Sequence, residues 1–545
     1  MLVLRSSRVQ NLHRLLRRQA HFGSPPLHAA WALPERNPAG SSLQPVGDGT
    51  EQFFQRRWWA EAQTVAELLD LRAEFASEAS QPSNVGSFWN AVGRLARSSQ
   101  ERQWLAQPEG RAALAAAAVG DLDAVVDDLA PRELTAVAIG LASARLAHTT
   151  PFAALFSRLA RAAASMPELF RDGELILLID AASRAGRTGP SRFFATLTSE
   201  AGRRIASTHG RVQVSGLHGL MQSCARVSFC STALLDAIAA ELVRGDLLNK
   251  IPPNHLIDMI WALAVADHMP AALFARCSTE GIGGNATTKG ESVLLIQHLC
   301  HVLSAIREAR DVQQTGLQNS SLARLHEVKL WLGTERLKQH SRGGQNGADA
   351  AAAAAERIGL PDGSPLAVLC HDAFIEQQQA PARQRPGSYE RAESALREIG
   401  YEPRKQVTER GHVLPLVIQH GGIDVAVEIE PPFGFHHSLP RSIARISQIK
   451  GLTRNGWLTL RQRQLRAFAT YTGGQQLLAV PFWELHPRLE ANREFALHHR
   501  VPWAEQPREA REALHNYFRR RLSDISTIPT FEVHDETEQQ RSRVD

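Results

Sequence analysis

Disulfides, membrane spans and the familiar catalytic signatures are all missing from this chain. Its five cysteines (Cys224, Cys230, Cys277, Cys300 and Cys370) form no CxxC pair. An odd number scattered along apolar segments reads as reduced core thiols rather than a disulfide framework. No run of about 18 apolar residues occurs, so nothing is expected to span a membrane. The GxxxxGK[ST], HExxH, GxSxG and zinc-ligand spacings are absent, and residues 281–290 hold glycines and Lys289 at the wrong spacing for a phosphate loop. These patterns predict no bound metal and no small-molecule substrate. With 43% apolar and 21% charged residues over 545 positions, the composition is that of a soluble globular protein too long for one ordinary core, so two folded regions plus linkers are expected.

Acidic residues are missing from two stretches. In residues 1–34, Arg5, Arg8, Arg14, Arg17 and Arg18 stand without any Asp or Glu. Val9, Leu12 and Leu16 share one helical face and Arg14 and Arg18 another, which is the pattern of a mitochondrial presequence. The arginines interrupt any apolar core that secretion would need, so the mitochondrial matrix is the expected compartment. Removing those five arginines from 61 basic residues leaves 56, equal to the 56 acids. The remaining chain is near neutral, and any affinity for nucleic acid has to come from local clustering. The clearest cluster is the second stretch. Between Glu430 and Glu484 no acid occurs, while Arg441, Arg445, Lys450, Arg454, Arg461, Arg463 and Arg466 do, and such a segment attracts phosphate.

Residues 52–337 read almost wholly as helices joined by short polar turns. Four apolar helices end in the alanines Ala142, Ala182, Ala225 and Ala264, spaced 40, 43 and 39 residues apart, and each is followed by a second helical segment. A period near 40 predicts stacked helical pairs, an α-solenoid of about five or six pairs, in which the small residues let helices approach closely. Residues 88–96 and 294–305 are candidate degenerate outer copies. The competing reading is an irregular bundle, which offers no concave face to an extended ligand. No polar pair recurs at a fixed repeat position as a base-reading code would require.

Residues 338–387 change character. A Gly- and Ser-bearing stretch precedes the alanine run at 350–355, and a second soft segment at 377–387 holds Pro381 and Pro386, so a flexible linker with a short helical piece is expected. A C-terminal unit is predicted over 388–520, opening with an amphipathic helix at 389–399, and the polar tail at 530–545 is expected to be disordered. Within the unit, 413–419 and 423–430 read as a β-hairpin around His420-Gly421-Gly422, followed by a helix near 458–470 and a buried strand at 477–481. Side chains alternate along a strand, so Asp424, Ala426, Glu428 and Glu430 share one face of the second hairpin strand while Val425, Val427 and Ile429 share the other. On the helix, Leu458, Leu465 and Phe468 form the apolar face, and Arg463 and Arg466 are expected on an exposed one.

The block 421–485 resembles a RAP domain. Members of that family typically carry an E-x-D-G-P segment, a following His, a basic K/R-R-x-L helix and a closing P-[YF]-W-E-W motif. This chain offers Glu428-Ile429-Glu430-Pro431-Pro432, then His436 and His437, then Arg461-Gln462-Arg463-Gln464-Leu465, then Pro481-Phe482-Trp483-Glu484-Leu485. RAP domains stand beside helical repeats in organellar RNA proteins of the FAST-kinase-domain and octotricopeptide types. The resemblance therefore implies a mainly α protein whose solenoid is followed by a small α/β domain of restriction-endonuclease-like topology. It also implies a mitochondrial RNA-binding protein acting in the processing, stability or translation of transcripts or ribosomal RNA.

RNA is the implied partner, with the mitochondrial ribosome a further one, and no membrane is involved. Arg454, Trp457, Arg461, Arg463, Arg466 and His437 are the candidate RNA contacts. Because the RAP fold is similar to that of PD-(D/E)xK nucleases, in which acids on two neighbouring strands hold a divalent metal, the alternative is a Mg²⁺-dependent endoribonuclease using Glu428, Glu430 and Asp424. Three departures oppose it. The strand at 414–418 is apolar where the nuclease-like relatives carry Asp, Glu430 stands where the family has Asp, and Pro431 replaces its Gly. Asp424 also lies about 13 Å from Glu428 by strand rise, too far to share one small ion. A salt-bridged acidic strand answering Arg461 or Arg463 is expected instead, without a cofactor. A structural ribosome component remains the third reading.

Overall fold

The computed structural model describes residues 59–75, 79–147, 149, 151–185, 192–207, 212–229, 231–244, 247, 251–268, 317–341, 365–384, 386–408, 411–430, 454–472, 475–485 and 503–526. The presequence segment, the outer copy at 294–305, the alanine run at 350–355, His437 with its neighbour His436, and the tail at 530–545 lie outside them. All described residues belong to one unit that begins at Gln55. The protein is mainly helical, with a small C-terminal mixed sheet.

The helices in order are α1 (Val65–Glu74), α2 (Pro82–Leu95), α3 (Ser99–Ala106), α4 (Pro108–Val125), α5 (Pro131–Ser143), α6 (Phe152–Ala164), α7 (Asp172–Arg184), α8 (Arg192–Ser207), α9 (Val214–Arg226), α10 (Thr232–Arg244), α11 (Pro253–Ala266), α12 (Asn319–Ser341), α13 (Pro365–Gln384) and α14 (Pro386–Glu398). The expected period is visible as packing. First helices α5, α7, α9 and α11 pack on one another in that order, with α2 before them and α12 after, while second helices α6, α8 and α10 pack in a parallel succession. Ala142, Ala182, Ala225 and Ala264 are all buried. Gly140 packs closely against α2, since a Cβ there would strike the backbone of Trp89.

Three of these first helices also stop in the same way. Arg145, Ser228 and Asp267, each three residues past its alanine, take left-handed φ values of 56°, 52° and 54°. The following N–H returns to the last turn in each case: Leu146 to the Leu141 carbonyl at 2.9 Å, Phe229 to Cys224 at 3.0 Å and His268 to Leu263 at 3.1 Å. This left-handed cap satisfies carbonyls that a helix end otherwise leaves open. It is formed here on non-glycine residues.

The segment expected as a linker contains a long helix. Helix α13 occupies residues 365–384 and packs on α12, because Leu366, Cys370 and Phe374 recur at four-residue spacing and are all buried. The C-terminal unit then runs α14, β1 (Arg404–Val407), β2 (Val413–His420), β3 (Ile423–Glu430), α15 (Gly456–Thr472), β4 (Gln475–Pro481) and α16 (Arg508–Ser526). Sheet order is β1-β2-β3-β4, with the first two pairings antiparallel and β3 parallel to β4. The hairpin turn sits at Gly421 and Gly422, whose φ values of 59° and 82° are those of a type I′ turn. Between β1 and β2 one extra residue is accommodated, since Arg404 faces Val417 but Gln406 faces Leu414. That bulge, at Pro415, turns Leu414 to the sheet face opposite Leu416. Val425, Val427 and Ile429 face α14 and α16, and Ala426 faces Leu465 of α15, as the alternation predicts.

Helix α15 has two partners. Leu465 meets the sheet, whereas Leu460 and Trp457 belong to the core of the helical array. The helix starts against the end of α9, where a Cβ on Gly456 would collide with the Ala225 carbonyl and Val265. Ser228 locks the same corner: its Oγ donates to the Arg454 carbonyl at 2.9 Å and lies 2.9 Å from the Thr459 hydroxyl. Gly456→Ala is expected to cost about 1–3 kcal/mol, the range for overpacking a tight contact, read as a lower denaturant midpoint. An unchanged midpoint would mean that α15 does not abut α9.

Candidate nucleic-acid interface

The acid-free segment was expected to present a solvated basic face, and its helix does not. Arg461 is buried, with its side chain 5% exposed, and so is Glu428 at 3%. Nε of Arg461 donates to Oε1 of Glu428 at 2.8 Å and Nη2 to Oε2 at 3.0 Å. The same guanidinium donates to the Val413 carbonyl at 2.9 Å and to Oε1 of Gln378, which also accepts from the Val413 N–H at 3.0 Å. Burial alone would lower the pKa of Arg461, but Glu428 beside it more than compensates and raises it.

Glu430 is wholly buried and is held by Arg454, Nε to Oε1 at 2.6 Å and Nη2 to Oε2 at 3.3 Å. Burial pushes its carboxyl above the ordinary value, Arg454 pulls it down, and Glu428 adds a further upward push. Asp424, at the far end of the strand, is bonded by Arg404 at 2.5 Å on the surface.

Arg461 and Arg454 answer Glu428 and Glu430, as one expectation had it for Arg461. Arg463 was expected on an exposed face beside Arg466. Instead it reaches the end of α11, donating to the Ala264 carbonyl at 2.9 Å and the Val265 carbonyl at 3.3 Å, with Asp267 at 3.6 Å. A cation there complements the negative end of the helix. Trp457 is half-buried against the array core rather than standing in solvent. Arg466 is exposed. Of the three carboxylates of the nuclease alternative, Glu428 and Glu430 have arginine on both oxygens and Asp424 on one, and among the described residues no group of three His, Cys, Asp or Glu side chains is placed to hold a metal ion. The side of α15 that carries Arg461 and Arg463 is thus a seam inside the molecule, while Arg466 stays exposed, and the 3.6-residue period alone does not indicate what covers a helix face.

A polar stripe missed by sequence reasoning crosses the first-helix row. On α7 and α9, Asp180 pairs with Arg184 at 2.6 Å and with Arg226 at 3.1 Å. Between α9 and α11, Gln222 donates to the Asp258 backbone carbonyl at 2.7 Å, and His218 Nε2 lies 3.4 Å from the Asp258 carboxylate. On α12, Arg324 bonds Asp258 and lies over the Trp261 ring at 4.6 Å. The imidazoles of His218 and His255 are stacked, with centroids 4.1 Å apart and planes 11° from parallel. Burial and His218 hold His255 below the usual imidazole range although Asp258 pulls upward. Arg184 is 51% exposed and Arg226 40%, which leaves both guanidiniums partly open to a ligand. The stripe is irregular in residue type, so no fixed repeat position announced it.

Where the row meets α15, Glu327 of α12 is buried beneath the Trp261 indole N–H, and the Gln464 amide donates to its backbone carbonyl at 3.0 Å. Burial pushes its carboxyl up to about 7, against the pull of Trp261, Arg324 and Arg461.

No protein-family model matches the chain, and no curated protein matches it.

Two predictions come from these buried charges. Arg461→Ala or Glu428→Ala leaves its partner buried and unpaired and is expected to cost about 3–5 kcal/mol, whereas Arg404→Ala, which breaks a surface pair, costs about 1 kcal/mol or less. Chemical denaturation distinguishes them, and equal costs would contradict the burial of the first pair. For Glu327, the unfolded carboxyl titrates near 4.5 and the folded one near 7. The folded state therefore binds the extra proton between those values. The associated stability is complete below about pH 4.5 and is lost as pH rises through 7, a total of about 3 kcal/mol by linkage. Glu327→Gln, neutral throughout, is expected to flatten the fall between pH 5 and 8 in thermal melts. A variant whose slope equals that of the parent would rule out Glu327 as its source.

Proposed function

We propose that this chain is a mitochondrial RNA-binding protein acting in the processing, stability or translation of mitochondrial transcripts or ribosomal RNA. In this reading the helical pairs form an α-solenoid, and the strand lies along its first-helix row. A RAP-like domain of restriction-endonuclease-like topology closes the end of that row. The observation that carries the reading is the polar stripe, which gives successive helices cations, hydrogen-bonding groups and flat rings at the surface: Arg184 on α7, His218 and Arg226 on α9, His255 on α11 and Arg324 on α12. Extended single strands are held by such combinations of phosphate contacts and stacking surfaces. Supporting it are the recurring left-handed caps, which suit a stacked repeat, and the helix-strand-strand-strand-helix-strand order of the C-terminal unit.

The domain binds and does not cut. A metal-dependent nuclease needs free carboxylate oxygens on neighbouring strands. Here β2 carries no acid, and Glu428 and Glu430 are occupied by Arg461 and Arg454.

Labelled mitochondrial RNA incubated with the full chain, in Mg²⁺ or in EDTA, is expected to shift on a gel without shortening. Affinity should fall with salt by roughly 0.7 log units per log unit for each phosphate contact. Arg184→Ala with Arg226→Ala should weaken binding and reduce that slope by about 1 or more. Mg²⁺-dependent shortening of the RNA would overturn the non-cutting reading. Metal dependence is the proper readout, because Glu428→Ala disturbs the fold itself.

A further inference from the structure

We propose that the stacked imidazoles of His218 and His255 form a platform on which one base of a single-stranded RNA stacks, with Arg226 and Arg324 flanking it at the phosphates. This inference rests on the RNA-binding reading and names a contact within it. The two rings come from adjacent first helices, α9 and α11, and lie 4.1 Å apart within 11° of parallel, the geometry of offset π-stacking. Both rings are half-buried, so the pair is fixed by the row yet partly open to solvent.

The cluster around the rings orients them. Asp258 accepts from Arg324 and lies 3.4 Å from Nε2 of His218, and the Gln222 amide donates to the Asp258 backbone carbonyl at 2.7 Å. Arg324 already meets the charge of Asp258. His255 adds a flat surface to this cluster rather than a counter-charge, and two imidazoles at this separation disfavour a second proton. An aligned ring pair among polar side chains suits the face of a nucleobase. Such stacking tolerates any base, because every base offers a π-face. The contact would therefore contribute affinity without a sequence code, in keeping with the lack of a fixed polar pair along the repeat.

The test uses the full chain and two labelled 20-nucleotide RNAs of equal charge, one a homopolymer of uridine and one with abasic sites replacing the central bases, with binding followed by anisotropy. His255→Ala is expected to weaken binding of the uridine strand about tenfold while leaving the abasic strand within about twofold, and His255→Phe, which keeps a ring in the stack, is expected to restore most of the loss. Equal weakening on both strands, or no weakening on either, overturns the platform while leaving RNA binding in place. Failure of the unaltered chain to bind either strand overturns both the platform and the reading it rests on. Ultraviolet cross-linking of the unaltered chain to the uridine strand guards against a misfolded variant. The adduct is expected on the peptides carrying His218 or His255, and an adduct confined to other peptides overturns the proposal.

Discussion

The buried pair of Arg461 and Glu428 holds the C-terminal half of this molecule together. Through one guanidinium, α15 reaches the carboxylate on β3, the Val413 carbonyl on β2 and the Gln378 amide on α13. A buried arginine with several donors has to find an acceptor for each, or the desolvation cost of the charge goes unanswered. Here the acceptors come from three elements distant in sequence, so the pair is satisfied only when those elements are in register. The bulge at Pro415, which sets Leu414 on the face toward α15 while Leu416 points away, belongs to the same arrangement. Such pairs are a weak source of net stability and a strong source of specificity where the geometry admits a single partner set.

The composition of the segment follows from its neighbours. Helix α15 faces two carboxylates on the sheet side, Glu428 and Glu430, and the carbonyl end of α11 on the array side. Both environments are negative, so an Asp or Glu on either inward face would meet like charge. Cations at Arg454, Arg461 and Arg463 are what the two surfaces require. The lack of acids on α15, read from sequence as attraction for phosphate, is accounted for largely by contacts within the chain. Among the described residues, cations remain exposed or partly exposed at Arg466 on α15 and on the first-helix row at Arg184 and Arg226.

Much of the architecture was legible because local rules and packing agree. The hairpin was marked by alternation on β3 and by consecutive glycines, and the structure has a two-residue turn there with both φ values positive. The helical period was marked by alanines that prove to be buried. Strand β1 was missed because Arg-Lys-Gln-Val is polar and lies at the sheet edge with little of it buried, leaving no alternation to detect. Helix α13 was not legible because Pro381 and Pro386 mark a break in the pattern, although Leu366, Cys370 and Phe374 recur at helical spacing and are buried. The faces of α15 were assigned on the assumption of solvent on one side. Periodicity reports that a helix has a second face, but it does not report that another element covers it.

The repeat and the C-terminal unit meet at the helix ends, and this constrains how the two act together. A stacked row of helices leaves a line of carbonyl termini along one edge, each needing a donor. Left-handed caps at Arg145, Ser228 and Asp267 satisfy part of that need from within the chain. At α9 and α11 the rest is taken up by α15, through the close approach of Gly456 to Ala225 and the guanidinium of Arg463. Adjacent to these contacts, Glu327 links α12 to Trp261 of α11 and to Gln464 of α15. The histidine pair and Arg324 lie on the same two or three helices whose ends α15 clamps. The seam and the part of the stripe richest in charged and ring side chains therefore share the same helices.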